Sequence, residues 1–160
     1  MKAIGRRPSR RWLPDLKAEA LAWWVSGSSD QRLQSVMRSH LRAVLLWQIF
    51  RTIRQRALPE KRVNAVVEFR ITGRRDGGID RYRLMLADGR CRTSRHDEPP
   101  ALTLELGPVA FLRLVSGTAS PTGLLLTGNL KLRGGLLLAL ALPTTLRIPR
   151  RRPRRRSGKR

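Results

Sequence analysis

One cysteine, two histidines and eleven acidic residues stand among 160, and each shortage removes a class of function. Cys91 alone cannot close an internal disulfide, which points to a reducing compartment. His40 and His96 lie far apart without ligand spacing, so neither a metal site nor any other cofactor is expected. Cys91 has no histidine in a workable relation to it. On an alternating strand it reads as a small buried residue. Asp97 and Glu98 precede a double proline and read as a solvated loop rather than an acid–base pair. The glycines at 73, 77, 78, 134 and 135 sit at turns and match no phosphate-binding pattern. A non-catalytic protein is expected. Long apolar runs are also lacking: Lys131 and Arg133 divide the greasiest stretch, and a membrane span needs roughly 20 apolar residues. "SRRWL" at 9–13 has the arginine pair of an export signal. Asp15, Lys17 and Glu19 interrupt the adjoining segment, so no apolar signal core is present and a cytoplasmic location is expected.

Positive charge is abundant. Lysine and arginine number 34, of which 29 are arginine, for a net charge of +23. The excess concentrates at the ends. Lys2, Arg6, Arg7, Arg10 and Arg11 open the chain, and Arg150, Arg151, Arg152, Arg154, Arg155, Arg156, Lys159 and Arg160 close it. With prolines at 149 and 153 and no acid, residues 150–160 form a solvated, disordered electrostatic tail. Two partners suit such a tail, an anionic membrane surface and, secondarily, the phosphates of nucleic acid. Against nucleic acid, aromatics are only 5% of the chain and are not interleaved with the basic run as a stacking platform requires.

Periodicity then orders the middle. Residues 14–26 read as a short helix, closed by "SGSS". Asp30 suits the N-cap of a longer one over 30–57, where Leu33, Val36, Met37, Leu41, Val44, Leu45, Ile49 and Ile53 recur at helical spacing. Arg32, Arg38, Arg42, Arg51 and Arg54 fall mostly on the other side, and His40 reads as a helix-boundary residue on the apolar face. After Pro59 the period becomes two. Val63, Ala65, Val67, Phe69 and Ile71 share a face. "RRDGG" turns the chain, Tyr82, Leu84 and Leu86 alternate, and Asp88-Gly89 turns it again. Leu102, Leu104 and Leu106 make a fourth strand, which predicts an antiparallel meander to this point. Gly107-Pro108 opens a helix ending at Gly117. Ser120-Pro121 opens a short one, "NLKL" is a last strand, and "LLLALAL" is a helix up to Pro143.

The stretch "PPALTLELGPVAFLRLVSGTASPTGLLLTGNLKLRGGLLLALALP" resembles the C-terminal signature of the sterol carrier protein 2 lipid-binding domain family. Phe111, Leu112, Leu114, Gly117, Pro121, Gly128, Leu130, Lys131, Leu132 and Gly134 carry the match. Upstream, "VVEFRITGRRDGGIDRYRLMLADGRC" is similar to the family's first three strands, and the helix before the sheet is similar to that of bacterial single-domain members. Three departures stand out. Leu125 and Leu126 replace a common phenylalanine and methionine, Asn129 replaces lysine, and Gly135 replaces an aspartate helix cap worth about 1 kcal/mol.

The resemblance implies an α+β fold. Its five-stranded, mostly antiparallel sheet is packed by helices on one side around an apolar tunnel that the last helix closes. It divides the chain into a basic N-terminal segment with a short helix (1–29), a lipid-binding domain (30–149, core 63–148) and the tail (150–160). The tunnel would be lined by Val67, Phe69, Phe111, Leu114, Leu125, Leu126, Leu130, Leu132, Leu137, Leu138 and Leu140. From the residues themselves, plain core and lined cavity both remain open for these positions. The implied function is carriage of a fatty acyl, phospholipid or sterol-like ligand. The alternatives are a nucleic-acid-associated protein working through its tail and an accessory subunit presenting lipid to an enzyme.

Overall fold

The computed structural model describes residues 18–60, 62–94 and 98–148. The basic N-terminal run, His96, Asp97 and the tail from Arg150 to Arg160 lie outside the described residues. Within them the chain forms α1 (Ala18–Gly27), α2 (Asp30–Arg38), α3 (Arg42–Arg56), β1 (Ala65–Ile71), β2 (Asp80–Ala87), β3 (Arg90–Thr93), β4 (Leu102–Leu106), α4 (Pro108–Val115), α5 (Pro121–Leu126), β5 (Leu130–Gly134) and α6 (Leu136–Thr145).

The strands make one mixed sheet in the order β3-β2-β1-β4-β5. β1–β2, β2–β3 and β4–β5 are antiparallel, and β1–β4 is parallel. The predicted meander is therefore wrong at its fourth strand. β4 crosses to the free side of β1, so that Phe69 lies opposite Tyr82 on one neighbour and Leu104 on the other. The physical reason is burial. β1 is apolar at most positions and buried at Val66, Val67, Glu68, Phe69 and Ile71, and only a central strand hides both its edges and both its faces. The β3–β4 connection passes on the Arg83 side, where Arg83 Nη1 donates to the Glu98 carbonyl at 3.1 Å.

The inner face carries Val67, Phe69, Ile71, Leu84, Leu86, Leu102, Leu104, Leu106 and Leu130, all buried in one core with residues of the helices. The helix expected over 30–57 is two helices. Ser39 takes extended backbone at the end of α2. Its hydroxyl donates to the Val36 carbonyl at 2.6 Å and accepts from the Leu41 amide at 3.2 Å. Such local bonding competes with helix continuation, and apolar periodicity runs through the break without marking it. His40 sits in that break, exposed. Arg42, expected among the solvent-side arginines, is buried. Its guanidinium donates to Asp80 Oδ2 at 2.7 Å and to the Met37, Ile71 and Thr72 carbonyls. It fastens the start of α3 to the β1–β2 connection.

On the opposite sheet face Glu68 is wholly covered, its two oxygens accepting from Arg70 Nε and Arg83 Nε at 2.5 Å each. Burial alone would raise the carboxyl pKa. The bonds and charges of Arg70 and Arg83 outweigh it, so the value falls below the ordinary 4.5. A depressed carboxylate contributes stability that is present above the unfolded-state pKa and lost as pH falls through the folded one. Glu68→Gln is expected to cost about 2 kcal/mol at neutral pH by removing the negative charge and one of the two oxygens that accept from Arg70 and Arg83. Below pH 4.5 its melting temperature falls less steeply than the wild type's, as a thermal melt series against pH would read.

β5 ends at Gly134, whose φ of +109° is reserved almost entirely for glycine. A Cβ there would stand 2.2 Å from the Ala101 carbonyl oxygen, and the next amide, of Gly135, donates to that oxygen at 3.1 Å. Gly134→Ala is expected to lose about 3 kcal/mol from backbone strain and displacement of β4. The lowered midpoint of a urea unfolding curve measures it.

Candidate functional site

α4 supplies the first wall. Pro108 sits in its first turn, and Phe111, Leu112, Leu114 and Val115 are buried. It ends by bonding the Gly117 amide to the Leu114 carbonyl and the Thr118 amide to the Arg113 carbonyl. Gly117, at φ +74°, supplies the left-handed residue of this Schellman termination. The chain then turns sharply into α5, whose N-cap hydroxyl, Ser120 Oγ, accepts from the Gly123 amide at 3.0 Å. α6 packs back against α5 and buries Ala139 and Leu142. It closes with the same termination, using Arg147 at φ +49° and a bond from the Ile148 amide to the Pro143 carbonyl at 3.0 Å.

Between the α4–α5 turn and the C-terminal half of α6 lies a groove of about 470 Å³. Leu114, Ala119, Leu140, Pro143 and Ile148 give it apolar walls, and Thr118, Ser120 and Thr122 bring hydroxyls to it. No ionisable side chain lines it. Thr118 Oγ1 lies 3.2 Å from the Arg113 carbonyl and 3.0 Å from Ser116 Oγ, so that hydroxyl is held by the turn itself.

The structure divides the eleven residues expected to line a tunnel. Leu114 and Leu140 reach the groove. Val67, Phe69 and Phe111 lie in the packed centre. There the ring centroids of Phe50 are 5.4 Å from Phe69, 4.1 Å from Tyr82 and 5.5 Å from Phe111. Leu130 is buried and Leu132 half-buried on β5, and Leu138 is half-buried on α6. Leu125, Leu126 and Leu137 are exposed, the last two at 82% and 84%. Ala119, Pro143 and Ile148 were not anticipated in the site. The Ser-Pro that opens α5 was visible in the sequence and marks the turn that builds it, but local sequence does not say that α6 would fold back onto it.

Two side chains of the inner side, Tyr82 and Cys91, are held neutral. Burial pushes the Tyr82 phenol up to about 12. It pushes the Cys91 thiol up to about 11 against the pull of the Arg54 charge. A thiol so placed is a poor nucleophile. Among the described residues no group of histidine, cysteine and carboxylate side chains is arranged to hold a metal. No helix among them is long and apolar enough to cross a membrane.

Similarities to known proteins fall on these same elements. The model of the SCP-2 sterol transfer family matches residues 50–147, from the middle of α3 to the end of α6. No curated protein sequence matches the chain. Sterol carrier protein 2 from Yarrowia lipolytica, in its apo form, is 24% identical, with a TM-score of 0.46 over 71% of this chain and 86% of that one. Palmitated SCP2L2 from Aedes aegypti is 22% identical, with a TM-score of 0.47 over 61% and 90%. The MycE methyltransferase of the mycinamycin biosynthetic pathway is 16% identical, with a TM-score of 0.60 over 86% of this chain and 38% of that one. The same fold thus also stands as one part of a longer enzyme. With its α+β fold and a family match that covers more than half its length, this chain belongs to the SCP-2 sterol transfer family.

Proposed function

We propose that residues 30–149 form a lipid-binding unit that carries a fatty acyl, phospholipid or sterol-like molecule without transforming it. The observation that supports this most is the groove between the α4–α5 turn and α6, with apolar walls and no ionisable lining residue. Its 470 Å³ falls within the ordinary range of small-molecule sites, roughly 300–1,000 Å³. Affinity would come from apolar burial, about 0.8 kcal/mol per methylene, which tolerates different headgroups and requires no fixed polar triad. The hydroxyls of Thr118, Ser120 and Thr122 stand where a headgroup would meet the rim. The purified protein is expected to carry a stoichiometric lipid in native mass spectrometry and to take up a fluorescent fatty acid. Leu140→Glu, at an exposed groove position where folding tolerates a charge, should weaken that uptake more than tenfold. A folded wild-type protein that neither carries nor takes up lipid would remove the proposal.

The tail from Arg150 to Arg160 completes this reading by attaching the carrier to an anionic membrane, where its ligand would be loaded and delivered. Each cation near such a surface contributes about 1 kcal/mol, and salt screens the attraction over about 8 Å at physiological strength. Deleting residues 150–160 should weaken binding to anionic vesicles strongly and flatten its salt dependence, with the affinity for a soluble fatty-acid analogue unchanged. Loss of that soluble affinity would place the tail in the ligand site instead.

A further inference from the structure

α6 is apolar on every side, with the sequence LLLALALPTT, yet only Ala139 and Leu142 are buried within it. A helix apolar all round is normally covered all round. Here Leu136, Leu137 and Leu140 are exposed, as are Leu125 and Leu126 on α5, and the two helices pack against each other. Monomeric soluble proteins seldom leave clustered leucines of this kind in water without a partner for them.

The charge that follows the patch along the sequence selects the partner. Glu105 is the last acidic residue of the chain: residues 106–160 contain twelve cations and no acid. Arg147, exposed, follows α6 directly, and the cations of residues 150–160 come next in sequence. Lys131 and Arg133 lie instead on the opposite sheet face, Lys131 beside Glu105. A protein partner has no general need for so one-signed a stretch of chain, whereas an anionic bilayer offers apolar depth beneath a layer of negative headgroups. We propose that the α5–α6 face is a membrane-docking surface whose exposed leucines enter the headgroup–acyl boundary of an anionic bilayer. Leu140 belongs both to this face and to the groove wall, so docking would set the groove mouth against the lipid phase. In that purpose the inference rests on the carrier reading.

The test uses the full, ligand-free chain with vesicles of phosphatidylglycerol and phosphatidylcholine in equal parts, across a salt series. Wild-type protein is expected to sediment with the vesicles. Leu136→Ser combined with Leu137→Ser should cut the partition coefficient on the order of tenfold or more at every salt concentration, because salt does not screen apolar transfer. The two positions are exposed, so the variant should melt like the wild type. Leu126→Ser, on the other helix, should lower partition by a smaller factor and guards against a change confined to α6. Fatty-acid loading of the wild type without vesicles reads the carrier proposal separately, so either can fail while the other stands. Unchanged partition in folded leucine variants would overturn the docking surface. So would a wild-type dimer that the double variant converts to monomer, since a second copy would then be the occupant.

Discussion

Phe50, Phe69, Tyr82 and Phe111 bring α3, β1, β2 and α4 to one point, and the placement of the other elements depends on that contact. Phe50 stacks on Tyr82 and meets the other two rings at close range. Each such pair contributes about 0.5–1.5 kcal/mol beyond the area it buries. Phe50 is the only one of the four on α3, so it sets how far that helix slides over the sheet. Arg42, two turns earlier, then arrives where β1 ends and β2 begins, and its bonds to Ile71, Thr72 and Asp80 fix the helix start. The start of α3 is held by charge and carbonyl dipoles, its middle by rings.

Filling the centre with rings moves the unfilled apolar space outward. β5 is an edge strand, and α5 packs against it and α6 against its neighbour β4. The leucines gathered there exceed what that edge can cover. Part of the excess packs inward as Leu124, Leu130 and Leu142. The remainder lines the groove or faces outward. The greasy stretch in so basic a chain is therefore neither wholly core nor wholly cavity. It divides among core, groove and exposed surface.

What local sequence could express, it expressed well. Asp88 and Gly89 both take positive φ, 52° and 72°, as an Asp-Gly turn between strands requires. The ordered positions Phe111, Leu112, Leu114 and Gly117 turn out to be the buried stripe and terminator of α4. The misses share a physical character. β4 joins β1 in parallel through a long-range choice of partner that alternation does not encode. Ser39 breaks the helix through hydroxyl bonds that leave the apolar period intact. Arg42 reads as a surface residue until Asp80 and two carbonyls, all distant in sequence, are brought to it. The leucines of α5 and α6 were the hardest, because an uninterrupted apolar run has no period from which to choose a face.

The distribution of acids explains why the last third of the chain behaves differently from the rest. Glu19, Asp30, Glu68, Asp76, Asp80 and Glu105 are each paired with a cation of the fold. Several of these pairs join separate elements: Asp80 to α3, Asp30 at the start of α2 to Arg113 of α4, Glu68 of β1 to β2. Beyond Glu105 no acid remains to be shared. α5 and α6 hold their places mainly through apolar contact and helix terminations, with the Leu58 amide donating to the Thr145 carbonyl at 3.0 Å, and salt weakens none of these. Of the cations there, Arg113 and Lys131 reach back to Asp30 and Glu105, and nothing in the local sequence can neutralise the others. Folding forces in this region are thus apolar while its electrostatic demand points outward. The cations of β5 accordingly stand on the sheet face away from these helices, while Arg147 follows the end of α6.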